Sequence, residues 1–271
     1  MKTLKEHTIL YDATCPMCRL YTGAFVRTGM LDARGRAPYQ GLQEGSCPGL
    51  DRARAVNEIA LVNQRTGEVT YGVASLFRIL GNAWPWLGPL FRFGPFAWLA
   101  AKAYSFISYN RRVIMPARAD VTDTPPAFHR GWRAAWIGFA WLLTALILYR
   151  YSHRMIGIVP PSNMYREFAV CGGQILWQGA LIRILHPERS WDYLGNMMTV
   201  SFAGGLLLAI FAGLFDVAGM HDPRVATLAF LLVAGAMLLE HVRRCGLLGL
   251  SLAMSASWIL YRLLLLAFIL N

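Results

Sequence analysis

Cys15 and Cys18, set two residues apart in the stretch YDATCPMCRLY with Asp12 three positions ahead, are the side chains best suited to chemistry in this sequence. The apolar run HTILYDA feeds into them as a plausible buried strand, and a segment able to form a helix follows. A CxxC at a strand end and helix start places the first thiol where unpaired backbone N–H groups and the positive end of the helix dipole favour a thiolate. Cys18, one turn on, lies on the same face and within reach of a disulfide. Cys15 would then attack a substrate disulfide and Cys18 would release the product by attacking Cys15 in turn. Pro16 suits the first helical turn, where its missing N–H has no partner to lose.

Two other readings compete for the pair. A tetrathiolate zinc site needs a second CxxC or a CxxH, but Cys47, Cys171 and Cys245 are single, so no metal ligands and no cofactor beyond the Cys15–Cys18 couple are expected. An inert pair of core cysteines is the other, although a strand–CxxC–helix context is uncommon by accident. Asp12 divides between carrying protons to and from the thiols and organising the turn through backbone hydrogen bonds. A carboxylate there would also raise the Cys15 pKa, against the dipole.

The elements that must hold this pair read as a small α/β domain. A helix after Cys15 reaches about Thr28 and stops near Gly29; ARGRAPYQGL carries a second strand; QEGSCPGLDRAR reads as loop with a helical turn. NEIALVNQRTGEVTYG offers two strand-like runs around Thr66 and Gly67, and VASLFRILG closes as a helix capped by Gly81. The order β, α, β, loop, hairpin, α is a thioredoxin-like pattern. Residues 82–110 are rich in aromatics but broken by Pro85, Pro89 and Pro95, which disfavours a spanning helix. They fit interfacial amphipathic helices with Trp84, Trp86 and Trp98 at headgroup depth, or aromatics packed on the N-terminal domain.

The rest of the chain belongs in a bilayer. Of 271 residues 56% are hydrophobic and 15% charged, with a mean hydropathy of +0.40, too apolar for an ordinary soluble domain. The net charge of +11 resides partly in Arg clusters flanking apolar runs, which points to anionic lipid rather than nucleic acid. Residues 132–149, 194–215, 225–239 and 247–270 are candidate spans, the third of them short. Residues 168–185 are apolar but carry Gln174, Gln178 and Arg183, which fall on related faces and could line a polar pocket. Arg243 and Arg244 belong on the cytoplasmic side and Asp216 and Asp222 outside. Five spans then keep the N-terminal domain cytoplasmic, as the absence of a signal-peptide core favours, whereas four would put it outside. The basic loop with Arg150, Arg154 and Arg166 counts against five. Cys171 and Cys245 are expected as small buried hydrophobes rather than an electron relay, and Glu240 and His241 as a solvated charge cluster.

YDATCPMCRLY resembles the signature of the DCC family of thiol-disulfide oxidoreductases, a thioredoxin-like group named for the residues that stand here as Asp12, Cys15 and Cys18. The resemblance continues through EIALVNQRTGEVTYGVASLFRILG, with Gly72 and Ser75, to AYSFISYNRR, with Tyr104, Asn110 and Arg111, covering about residues 7–115. It implies protein-disulfide reductase activity with Cys15 and Cys18 as the exchanging pair. Ala13 and Thr14 stand where the family more often shows Gly and a polar or acidic residue, and Val56 and Asn57 stand where thioredoxins carry a cis-proline. The expectation is a multi-pass membrane protein of the bacterial inner-membrane type. It would have a thioredoxin-like domain at residues 1–81, interfacial aromatic helices at 82–115, a linker at 116–130 and an all-α membrane domain of four or five spans at 131–271. Its partners would be the lipid bilayer and a protein or small-molecule disulfide. The alternatives are a redox-sensing or partner-binding module of a membrane transport or assembly protein, and a metal-binding module.

Overall fold

The computed structural model describes residues 1–42, 47, 49–117 and 127–270. The chain divides into two compact units, Met1–Trp132 and Arg133–Asn271.

The first unit is built on a four-stranded sheet of order β2-β1-β3-β4. Strand β1 (His7–Tyr11) pairs in parallel with β2 (Arg36–Pro38) and antiparallel with β3 (Ala60–Asn63), which pairs antiparallel with β4 (Val69–Tyr71). The parallel pair needs a crossover, and α1 (Pro16–Arg27) supplies it, ending at Thr28 before Gly29 turns the chain at φ +74°. Asp51 caps α2 (Arg52–Asn57), its side chain accepting from Arg54 N. The β3–β4 hairpin turns on Asn63, whose Oδ1 accepts from the N–H groups of Arg65 and Thr66, and on Gly67 at φ +73°. Then come α3 (Val73–Ala83), α4 (Gly88–Arg92) and α5 (Gly94–Ile114). One sheet face buries Ile9, Leu61 and Ile79 with Leu31 and Ile59, while Leu10, Ala60 and Val62 form the core on the other. This is the thioredoxin-like arrangement that the strand and helix pattern implied.

Some boundaries differ from the sequence reading. Helix α3 runs through Gly81, which lies under the Phe91 ring, and ends at Ala83, capped by Trp84, whose N–H still bonds the Leu80 carbonyl. Pro85 stops it there, because a residue before proline is pushed out of the helical region. Of the expected loop over QEGSCPGL, residues 43–46 and 48 lie outside the described residues, as do residues 118–126 of the expected linker.

The second unit is helical: α6 (Arg130–Ser152, its first turn counted with the first unit), α7 (Met164–Leu185), α8 (Ser190–Val217), α9 (Pro223–Leu247) and α10 (Ala253–Leu270). Four segments are long and apolar enough to cross a membrane, Arg130–Met155, Met164–Leu185, Pro187–Val217 and Pro223–Leu247, and α10 is a shorter apolar helix. The polar residues of α7 do not interrupt it. Helix α9 extends well beyond residues 225–239, and α10 starts six residues after 247 because Gly249, at φ +63°, ends the preceding helix. Gly204 lies against Met237 and Gly205 against Thr144, the close packing that small residues permit between membrane helices.

Candidate active site

Cys15 is the N-cap residue of α1, at φ −89° and ψ 112°, with its Sγ accepting from Cys18 N at 3.4 Å. Its own N–H donates to the Asp12 carbonyl at 3.2 Å, so the Asp12–Thr14 turn ties the end of β1 to the helix start. Cys15 is fully buried and Cys18 is 4% exposed; both are unlinked thiols. The hydrogen bond from the Cys18 thiol pulls the Cys15 pKa down against burial, and the Cys18 backbone N–H and the Arg111 guanidinium add to it, bringing it to about 6. Cys18 is pushed up, because it is the donor to the Cys15 sulfur and is buried. One thiolate shared over two sulfurs is the state this geometry favours. Tyr21 adds a hydroxyl that donates to Cys18 Sγ at 3.8 Å.

Asp12 is 3% exposed, and five donors converge on it. Oδ1 accepts from Thr14 N (3.0 Å), Thr14 Oγ1 (2.7 Å) and Gln40 Nε2 (2.8 Å); Oδ2 accepts from Arg111 (3.1 Å) and Arg112 (3.0 Å). Burial alone would raise its pKa, but the Thr14 hydrogen bond and the charges of Arg112 and Arg111 outweigh it and hold the carboxyl below its ordinary value. Asp12 is therefore an ionised anchor for two guanidinium groups.

Both arginines come from the last turn of α5, where cations also suit the helix dipole. The helix is tied to the sheet along its length. Tyr104 Oη accepts from Ile59 N at 2.9 Å, and Ser108 Oγ donates to the Asn57 carbonyl. Arg111 then donates to the carbonyls of Val56 (2.8 Å) and Asn57 (3.2 Å), while Arg112 reaches Thr14 Oγ1 (2.7 Å). The segment ahead of β3, which in thioredoxins holds a proline, here directs its carbonyls to an arginine. Gln40 and Arg112 went unrecognised in the sequence as site residues. The only hint was the pair RR at the end of a polar, aromatic segment, a hundred residues from Asp12.

Beside Gln40 opens a groove of about 350 Å³, lined by Tyr39, Leu50, Arg52, Ala53 and Val56 as well. Gln40 links it to the turn, accepting from Ala13 N at 3.2 Å. Cys47 is half-buried, and Cys171 and Cys245 are buried in the helical unit. Gln174 and Gln178 are buried there too, but Arg183 is exposed, so the three do not line one pocket. Tyr193 Oη donates to Gln178 Oε1 (2.8 Å) and lies 3.1 Å from His241 Nε2, whose ring reaches Ser255 Oγ through Nδ1 at 3.0 Å. Glu240 pairs with Arg243 and Arg244 as a charge cluster, but His241 is not part of it. Among the described residues no group of three or more His, Cys, Asp or Glu is placed to hold a metal ion.

Residues 9–116 match the family model of the DCC1-like thiol-disulfide oxidoreductases. The match covers 108 of 271 residues, and takes in the dithiol, Asp12, Gln40 and both arginines. No curated protein and no solved structure matches the chain. The segment that holds the dithiol is thus similar to the DCC1-like thiol-disulfide oxidoreductases, and it is followed by a helical region with four helices long and apolar enough to span a membrane.

Proposed function

We propose that the protein is a membrane-anchored thiol-disulfide oxidoreductase working as a protein-disulfide reductase through Cys15 and Cys18. The observation that carries this is the Cys15 sulfur at the α1 N-cap, accepting from Cys18 and ionising at about 6. A thiolate in that range is closer to reducing dithiols, near pH 7, than to strongly oxidising ones, near 3.5. The Cys15 thiolate attacks one sulfur of a substrate disulfide, forming a mixed disulfide and expelling the other sulfur as a thiolate. With the charge on Cys15 gone, the hydrogen bond that held the Cys18 proton loses its acceptor, and the expelled thiolate takes that proton. Cys18 then attacks Cys15 Sγ, closing the Cys15–Cys18 disulfide and releasing the second substrate sulfur. Two electrons have passed from the pair to the substrate.

Asp12, held ionised, acts as a positioning residue that fixes Arg111 and Arg112 beside the thiols rather than as a proton carrier. The groove at Gln40, which sets Leu50, Ala53 and Val56 beside Tyr39, Gln40 and Arg52, suits an extended peptide segment bearing the disulfide. The dithiol domain faces the cytoplasm, with α6 to α10 crossing the membrane five times.

Complete burial of Cys15 favours a second reading, a redox-sensing or partner-binding module without turnover. One experiment separates the two. Purified protein should reduce a model protein disulfide catalytically when supplied with a dithiol reductant, Cys15→Ser should abolish turnover, and Cys18→Ser should accumulate the mixed disulfide. Turnover that survives Cys15→Ser would sink the enzyme reading; a dithiol that oxidises reversibly without turnover would favour the sensor.

A further inference from the structure

Helices α4 and α5 present two faces of opposite destination. Inward, Phe77, Phe91 and Phe96 stack with centroids 4.4 to 6.3 Å apart, binding both helices to α3, and Trp84 and Tyr104 pack against the core. Outward, Trp86 in the turn before α4 (75% exposed), Phe93 between the two helices (59%), and Trp98 (64%) and Leu99 (60%) on α5 are exposed together with Leu90 and Ile107. On α5 the exposed residues Trp98, Leu99, Lys102, Ala103 and Ile107 recur at the spacing of a single helix face. Large apolar side chains clustered in this way mark an interaction surface. Its charge is one-sided: residues 69–119 contain Arg78, Arg92, Lys102, Arg111, Arg112 and Arg118 and no Asp or Glu. Arg111 and Arg112 are committed to Asp12, whereas Arg92 and Lys102 flank the apolar face, Lys102 lying 5.9 Å from the Trp98 ring centre.

We propose that this face of α4, α5 and the turn ahead of them docks into the surface of an anionic bilayer, with Trp86, Phe93 and Trp98 at the acyl–headgroup boundary and Arg92 and Lys102 on lipid phosphates. Aromatic and Leu side chains on one face with cations alongside, and no acid to repel anionic lipid, are what such a surface takes. The occupant is a lipid surface because the same chain carries membrane-length helices. The described end of α5 and the start of α6, at Arg130, are separated by only 15 residues, so the unit is tethered close to lipid. Helix α5 also reaches the dithiol turn. From Trp98 to Arg111 it rises about 20 Å, so docking would hold Cys15 at a set height above the lipid and admit disulfides close to the membrane.

The test places a photo-crosslinking p-azidophenylalanine at position 98 or 86 in the full-length protein, reconstituted in nanodiscs of phosphatidylcholine with or without phosphatidylglycerol, and identifies adducts by mass spectrometry. Phospholipid adducts at both positions are expected, several-fold more with phosphatidylglycerol, none from a probe at exposed Arg65, and several-fold fewer in Arg92→Gln/Lys102→Gln. Adducts mapping to residues 133–271, adducts to a second copy of the chain, or no adduct above the Arg65 control would each overturn the proposal. Reduction of a soluble model disulfide is measured on the same samples and should not change, so a failure of docking stays distinct from a failure of the reductase reading.

Discussion

A buried thiolate needs an electrostatic reason to exist, and around Cys15 that reason is local. Because its pKa in the fold, about 6, lies below the usual thiol value of 9.0, ionisation stabilises the native state. That contribution is complete above 9 and is lost as the pH falls through 6. Alkylation of Cys15 by iodoacetamide should therefore rise through pH 6 and level off by neutrality, with Arg111→Gln moving the midpoint upward; a midpoint near that of a free thiol would refute the assignment. Asp12 makes a sharper case. Removing its charge leaves Arg111, which is 5% exposed, without its carboxylate partner. Asp12→Asn should cost about 3–5 kcal/mol, read as a lowered thermal midpoint in detergent. If stability is unchanged while turnover falls, Asp12 is a proton carrier after all. The cysteine pair was legible in the sequence because spacing alone puts both thiols on one helical face. The ion pairs around it were not: Arg111 is reached only through the family resemblance and Arg112 not at all, because a contact from residue 12 to residues 111 and 112 leaves no local pattern.

At the scale of elements, short-range chemistry made most of the first unit readable. Strand β1, helix α1 up to Gly29 and the hairpin around Thr66 and Gly67 all carry their signals within a few residues. The end of α3 is not legible locally, since Gly81 has the form of a cap, whereas Pro85 and the Phe91 ring set the boundary. Helix α5 was harder still, because its two faces serve different surroundings and the sequence shows only their sum. Two contacts test how the elements hold the site. Tyr104→Phe removes the acceptor for Ile59 N and should destabilise the first unit by about 1–3 kcal/mol. Amide exchange should then rise at Ile59; unchanged protection there would show that the contact carries no weight. Gly72 adopts φ +60° and ψ −135°, and a Cβ there would lie 2.5 Å from Glu58 Oε2. Gly72→Ala should therefore cost about 1–3 kcal/mol through strain, and a neutral result in thermal unfolding would mean that β4 and α3 can shift together.

For the whole molecule, the question that governs the chemistry is which side of the membrane holds the dithiol. Within the helical unit, Arg133 at the start of α6 donates to Asp192 at the start of α8 at 2.7 Å, and Arg154 just after α6 pairs with Asp216 at the end of α8. Helices α6 and α8 therefore run in the same direction, which requires α7 to cross between them. Arg130, Arg133, Arg183, Arg189, Arg243 and Arg244 then fall on the side where α6 begins, and Arg150, Arg154, Arg166 and Arg224 on the other. On the proposed topology the first side is the cytoplasmic one, and six against four agrees with a bias that counts basic residues near span ends and gives acids little weight. The loop with Arg150, Arg154 and Arg166 is thus outnumbered rather than decisive. A fluorescent protein inserted after Gly249 should fluoresce in cells and alkaline phosphatase inserted after Gly219 should be active. The reverse pattern would put the dithiol in an oxidising compartment, where it would be kept as a disulfide, and the protein would have to run as an oxidase.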